Sequence, residues 1–519
     1  MMKKYITCTN QVQRWGIFEI ALEGNRGGNP FTDYTIQGEF CGKNEHKTVE
    51  GFYDGDGVYK VRFMPSFEGT YTFQISGSYA QDPEYHGTFE VTPAEEGNHG
   101  PVRVANQYHF AYEDGTPYYS IGTTCYVWAL QTEELQEQTL ETLKNSAFNK
   151  IRFCIFPKHY DYNLNEPYSY PYEGTPVDSS VLTRDNFMAY NGCPKGNDWD
   201  YTRFRPEHFA HLEKRIQDLM ELGIEADLIV MHPYDRWGFS MMSKEEDDLY
   251  WNYVIARFCA YRNVWWSLAN EYDLMPQKSL EDWERYASIL CEKDVYGHLR
   301  SIHNCHKMYD FTRPWITHCS IQRTDPYLSG ERVTEWRERY QKPVVLDEIV
   351  YEGNIELNWG NIPGEEMNRR FWEAAVRGGY PGHGETYLSK DHLLWWSHGG
   401  VLKGSSPKRF AFLLQILKET PGPGLVQMHP SAKVHMATRE DLCATVDSLL
   451  PVPYYLYYYG FRCSAFKEYY FDDEKEYEVE VLDTWDMTIT KCGTFRGKFQ
   501  VPLPGKQFIA VRIFEKGLL

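Results

Sequence analysis

No stretch of the 519-residue sequence approaches the roughly 20 consecutive apolar residues of a membrane-spanning helix. Met1-Met-Lys-Lys-Tyr-Ile-Thr-Cys-Thr9 starts basic, but Asn10, Gln11, Gln13 and Arg14 follow before the apolar core of an export signal can develop. No two cysteines have the C-x-x-C spacing. The 12 cysteines are scattered, and Cys125, Cys154 and Cys319 lie inside strand-like runs. Reduced thiols packed as small apolar groups, and a cytoplasmic location, are therefore expected. Positive charge is scarce: 53 Lys and Arg against 73 Asp and Glu leave a net charge of −20, which argues against nucleic acid and anionic membranes as partners. A neutral substrate would be indifferent to that charge. No unit repeats at a fixed period and no tract is of low complexity. His303-Asn-Cys-His306 stands without a second cluster at ligand spacing, so neither a metal nor another cofactor is expected.

What is present is aromatic. Tyr, Trp and Phe make up 16% of the residues, with 40 Tyr and 15 Trp. Most belong in a large core; some are candidates to line a sugar-binding cleft, where flat rings stack on pyranose C–H faces. The apolar (42%) and charged (24%) fractions are those of a globular protein, and the length suggests roughly three domains.

Residues 1–97 read as an N-terminal β-sandwich. Alternating runs such as Tyr59-Lys-Val-Arg-Phe-Met64 and Tyr71-Thr-Phe-Gln-Ile75 sit between turn signals such as Asp54-Gly-Asp-Gly57 and Phe67-Glu-Gly-Thr70. After Gly97-Asn-His-Gly-Pro101 strand-like and helix-like patterns alternate, which predicts a (β/α)8 barrel over 98–425. Its strands are expected at 118–124, 149–156, 224–231, 263–270, 299–303, 315–318, 343–347 and 382–387, with too little chain between the fifth and sixth for a full helix. A long loop, 157–205, is rich in Tyr, Pro, Asn and Gly and is expected to be ordered as a cleft wall. Pro421-Gly-Pro-Gly424 is an exit linker, and 426–519 read as a small C-terminal β-domain whose patterning resumes at about Ala437. A β-domain at each end permits a monomer or a symmetric assembly.

The chemistry points to two carboxylates. Asn263-Val-Trp-Trp-Ser-Leu-Ala-Asn-Glu271 is a buried-strand pattern ending in an acid, and so is Lys342-Pro-Val-Val-Leu-Asp-Glu348. A barrel keeps its reacting groups at the C-terminal tips of its strands, and strands four and seven face each other across the mouth. A retaining glycosidase needs two carboxyls about 5 Å apart there. Glu271 is the expected acid/base and Glu348 the expected nucleophile, with Glu385 its rival. Asn270 is placed to bond a sugar hydroxyl, and Arg152 to orient the nucleophile by bidentate bonds. His232, Asp235, Arg236, His303 and His318 fall at or just past strand ends as candidate substrate contacts, with Glu385, Trp395 and Trp396 after strand eight. Each has a structural reading beside the functional one. An inverting hydrolase, with a wider carboxyl separation, and an inactive carbohydrate-binding scaffold on the same barrel are the competing readings.

Leu268-Ala-Asn-Glu271 followed by Lys342-Pro-Val-Val-Leu-Asp-Glu348 resembles the paired strand signature of clan A glycoside hydrolases, and the interval fits three β/α units of roughly 25–30 residues. The wider chain resembles apiosidase-like barrels, often labelled endoglucanase or cellulase-like. That resemblance is carried by Gly51-Phe-Tyr-Asp-Gly-Asp-Gly57, Ile121-Gly-Thr-Thr-Cys125, His232-Pro-Tyr-Asp-Arg236 and Gly382-His-Gly-Glu-Thr-Tyr387. It implies the sandwich–barrel–β-domain order and the two glutamates in their roles. It does not carry over the substrate, and the Asn-Glu pair is nearer the clan's general pattern than an apiosidase-type aspartate. The expected activity is hydrolysis of small neutral glycosides or oligosaccharides.

Overall fold

The structure is a computed structural model and describes residues 5–190, 195–428 and 441–519. The N-terminal sandwich pairs a four-stranded sheet with a five-stranded one. Alternation is explicit in Ile36–Cys41, whose residues are buried and exposed in turn. The inward residues meet as a phenylalanine cluster in which Phe18 stacks on Phe89 at 3.8 Å and Phe40 on Phe63 at 4.3 Å. The sandwich is tied to the barrel by buried charge: Arg62 donates to Glu213 (2.9 Å), which also accepts from Arg257 (2.6 Å).

The barrel has eight parallel strands in sequential order around the ring. They are β1 (Gly122–Thr124), β2 (Lys150–Cys154), β3 (Glu225–Met231), β4 (Val264–Ala269), β5 (Arg300–Ser301), β6 (Cys319–Gln322), β7 (Val344–Glu348) and β8 (Tyr380–His383). β1 pairs with β8, and a bridge between His303 and Ser320 joins β5 to β6 and closes the ring. Every residue of β2, β3, β4 and β7 is buried, which is why these strands read as continuous apolar runs rather than alternating ones.

Among the described residues, the helices of eight or more residues that follow the strands are α1 (Glu133–Lys144), α2 (Pro206–Glu221), α3 (Lys244–Phe258), α4 (Leu280–Lys293), α5 (Val333–Tyr340), α6 (Gly364–Val376) and α7 (Pro407–Lys418). Ser243 with Glu246, and Ser279 with Asp282, form capping boxes that start α3 and α4. No helix separates β5 from β6 among the described residues, as the short interval predicts.

Three strand expectations are corrected. Pro117–Tyr118 pairs antiparallel with His109–Tyr112 in a small sheet at the N-terminal end of the barrel, so β1 begins only at Gly122. β6 begins at Cys319, immediately after the expected 315–318. β8 is Tyr380–His383, and Glu385–Thr386 instead pairs with Glu352–Gly353 outside the barrel. The expected return to β patterning at Ala437 lies outside the described residues. The C-terminal domain is a six-stranded sheet beginning at Leu425–Gln427, with a two-stranded ribbon beside it. It packs on α6, where Trp372 stacks on Tyr458.

Candidate active site

The carboxyls of Glu271 and Glu348 line one cavity of about 380 Å³ at the C-terminal end of the barrel. Glu348 is the last residue of β7; Glu271 follows β4 by two residues in a left-handed turn (φ 50°, ψ 54°). That turn re-aims the chain so that Glu271 enters the mouth rather than continuing the strand. A second left-handed residue, Val350 (φ 70°), follows the other glutamate. A β-branched residue there is strained, and strain of this kind persists only where the surroundings over-determine it.

Each carboxyl has its own tyrosine. The Tyr126 hydroxyl, just past β1, donates to Glu348; the Tyr234 hydroxyl, just past β3, donates to Glu271. Glu348 also lies 3.3 Å from His303 Nε2 and 3.4 Å from Arg152 Nη1. Arg152 Nη1 is closer to Asn270 Oδ1, at 2.7 Å. The guanidinium therefore reaches Glu348 through one nitrogen, not by the bidentate bonds the sequence suggests, and holds Asn270 in the same grip. The amide nitrogen of Asn270, buried, has no partner among the described residues, and Asn270 is not among the residues that line the cavity.

Behind these groups the barrel interior is ionic. Lys150 Nζ sits 2.7 Å from both Asp227 and Asp347. Ser320 donates to Asp347, and its oxygen lies 3.0 Å from His303 Nδ1. Pairing offsets much of the cost of burying these charges.

The two carboxyls titrate apart. Burial, and then the charge of Glu348, push Glu271 upward, against the Tyr234 bond and the charge of Lys158. Burial would raise Glu348 too, but the approach of His303, the charge of Arg152 and the Tyr126 bond outweigh it and hold Glu348 at about 2. The two shifts favour the proton on Glu271 and the charge on Glu348.

Several expected contacts lie elsewhere. His232 is buried against Phe156 O (3.3 Å), and burial holds its imidazole down at about 3. Asp235 accepts from Trp237 N, Gly238 N and Ser240 N and folds its own turn. Arg236 donates to Glu166 and lies over Trp237, bracing the long loop from behind. His318 precedes β6 and packs on Phe110 and Trp265 at the opposite end of the barrel; the misplaced sixth strand put it at the wrong rim. His303 supports Glu348 from the side rather than lining the cavity. Trp395 donates to Thr123 inside the core, while its neighbour Trp396 lines the cavity.

Glu385 is also displaced from the cavity. It accepts from Lys403 N (2.6 Å) and Gly404 N (2.7 Å), and Glu352 accepts from Ser405 N (2.6 Å) and Ser406 N (3.1 Å). Four successive backbone N–H groups ahead of α7 thus hold two carboxyls. A Cβ on Gly404 would stand 2.6 Å from an oxygen of each, so the approach requires glycine. Burial, with Glu352 adding to it, raises Glu385 to about 7. Glu352, His383 and Glu385 are the one group among the described residues with metal-ligand spacing, their atoms within 4.8 Å of one another. Their carboxyl oxygens already accept the four N–H bonds.

The sequence passed over Tyr126, Tyr234, Tyr160, Tyr351, Trp359 and Lys158, all of which line the cavity. Tyr126, Tyr234 and Lys158 fall two to four residues past strand ends, the signal used for Glu271. Lys158 is 3% exposed, and burial pushes its ammonium down to about 8. A larger groove of about 690 Å³ between sandwich and barrel, lined by Phe31, Tyr53 and Tyr253 among others, brings no comparable set of reacting groups together.

Comparison with known proteins agrees with this geometry. Residues 104–402 match the family described as "Apiosidase-like, catalytic domain". Residues 11–78 and 446–514 match two domains of unknown function, DUF5060 and DUF5605. No curated protein matches the sequence. Among solved structures, a protein of Bacteroides vulgatus ATCC 8482, provisionally named a glycoside hydrolase, is 37% identical with a TM-score of 0.88. The match covers 98% of this chain and 100% of that one. A glycoside hydrolase family 5 protein of the same organism is 16% identical with a TM-score of 0.58, over 80% of this chain and 93% of that one, and shares the fold. The chain belongs to the apiosidase-like glycoside hydrolases, a (β/α)8 barrel flanked by two β-domains.

Proposed function

We propose that the protein hydrolyses small glycosides with retention of anomeric configuration, Glu271 acting as acid/base and Glu348 as nucleophile. The observation that carries this is the meeting of the two carboxyls in one cavity at the C-terminal ends of β4 and β7, each held by its own tyrosine. Protonated Glu271 gives its proton to the leaving oxygen. Ionised Glu348 attacks the anomeric carbon and forms a glycosyl ester; Glu271, now a carboxylate, takes a proton from the water that releases the sugar. Arg152, His303 and Tyr126 stabilise Glu348 in its charged form and orient it. Asn270 is the residue we assign to the hydroxyl beside the reacting carbon, a contact that strengthens in the transition state.

A cavity of about 380 Å³ accommodates a sugar and part of its leaving group rather than a long polymer. We also infer a reducing, cytoplasmic setting: the thiols of Cys125, Cys154, Cys259, Cys319 and Cys443 are buried and unpaired.

The test is a panel of aryl glycosides of common hexoses, pentoses and uronic acids in both anomers, with wild type, Glu271→Ala and Glu348→Ala. One glycoside should be cleaved, and each variant should lose at least about a thousandfold in kcat. Proton NMR of the first product should show the substrate's anomeric configuration. Inversion, or activity insensitive to either substitution, would contradict the proposal.

A further inference from the structure

We propose that the Lys158 ammonium binds an anionic substituent, a carboxylate or a sulfate, on the sugar that enters the cavity. The inference rests on the cavity's being a glycoside site and names the class of sugar it takes.

Lys158 lines the cavity and is almost wholly buried. The other buried cations near the reacting carboxyls are paired: Lys150 with Asp227 and Asp347, Arg152 with Glu348 and Asn270. Lys158 Nζ makes no hydrogen bond and no ion pair among the described residues. It is held instead by ring faces: Tyr126 at 3.3 Å, Tyr234 at 4.3 Å, Trp396 at 4.8 Å and Tyr160 at 5.5 Å. Aromatic faces attract the charge, but they do not satisfy three N–H donors.

Its place is at the reacting centre. Tyr126 bonds Glu348 and Tyr234 bonds Glu271, and the ammonium lies over both rings. It therefore stands in the same cavity as the two carboxyls and close to the tyrosines that hold them. Glu271 and Glu348 are the carboxylates lining the cavity, and neither comes within ion-pair distance of Nζ. A neutral hydroxyl would satisfy one N–H. An anionic group also supplies a charged partner at contact distance, which neither glutamate does, at a site where burial penalises an unpaired ammonium. The anionic sugar replaces the neutral one expected from composition.

The experiment uses the full-length protein and matched pairs of aryl glycosides: glucuronide against glucoside, galacturonide against galactoside, and the 6-sulfates of both neutral sugars. Calorimetry with glucuronate, galacturonate, glucose 6-sulfate, glucose and galactose reads binding without turnover. The anionic member of at least one pair should be preferred, the uronate and sulfate arms identifying which anion. Lys158→Met should lower that preference roughly 10–100-fold, the value of a charge-assisted bond, and Lys158→Arg should keep more of it. Lys158-dependent binding without any hydrolysis supports this assignment and overturns the catalytic one. Hydrolysis of neutral glycosides that depends on Glu271 and Glu348, with no Lys158-dependent preference for anions, overturns this assignment and leaves the catalytic one standing. Absence of any anionic-sugar binding also overturns it.

Discussion

The Tyr126 hydroxyl donates to Glu348 and stands 3.3 Å from Asn270 Oδ1, so one phenol from β1's end joins groups from β4 and β7. Tyr126→Phe removes a donor to the ionised carboxylate without opening a cavity. We expect kcat/KM to fall roughly 10–100-fold, the worth of a hydrogen bond to a charged group. Because that bond helps hold Glu348 low, the acidic limb of the pH–rate profile should move up. A rate loss with no shift of that limb would show that Tyr126 does not act through Glu348.

Glu271 gives a stability prediction with a definite sign. Its folded-state pKa lies above the unfolded value, so the folded protein binds this proton more tightly. Stability from this group is fully present below the unfolded carboxylate value of about 4.3 and is lost as pH rises through the folded one. Glu271→Gln removes that loss while keeping an acceptor for Tyr234. The variant should melt above wild type at pH 7–8, with the difference fading below pH 4. Equal melting temperatures across that range would mean that Glu271 is not held protonated by its site.

Glu348 has the opposite sign. Its folded-state pKa is depressed to about 2. Its contribution is present above the unfolded value and lost as pH falls through the folded one. Activity on the acidic side should therefore persist below the pH at which an ordinary carboxylate protonates. An acidic limb near 4–5 in kcat/KM, on protein shown to be folded there, would contradict this.

Glu385 is predicted to matter for the fold rather than for the sugar. Glu385→Ala strands the N–H groups of Lys403 and Gly404 and should cost about 2–3 kcal/mol in denaturant unfolding. KM should change little. A large rise in KM with unchanged stability would return Glu385 to the substrate site.

Val350 separates strain from burial. Both Gly and Ala lose the valine methyls, but only Gly is at ease at φ 70°. Val350→Gly should be more stable than Val350→Ala by about 1–2 kcal/mol in denaturant titrations. The reverse order would remove the case for strain beside Glu348.

The barrel was legible because β2, β3, β4 and β7 are buried on both faces and read as apolar runs that end in polar residues. Glu271 and Glu348 were legible for the same reason. β6 was not: Trp315-Ile-Thr-His318 looks more strand-like than Cys319–Gln322, and the slip carried His318 to the wrong rim. Polar residues past strand ends were overcounted as substrate contacts. Asp235 and Arg236 are used inside the loop itself, which only three-dimensional packing reveals. The tyrosines and Lys158 were hidden by abundance, since in a chain with 40 Tyr no single one stands out until Tyr126 and Tyr234 are seen on the two carboxyls.

The most direct test of the central claim is azide rescue of the two alanine variants on a glycoside that wild type cleaves. With Glu348→Ala, azide should restore turnover and give a glycosyl azide of configuration opposite to the substrate. With Glu271→Ala, it should give one of the same configuration, because Glu348 still forms the ester. Same-configuration azide from Glu348→Ala, or rescue of neither variant while Glu385→Ala is rescued, would contradict the assignment of Glu348 as nucleophile and Glu271 as its acid.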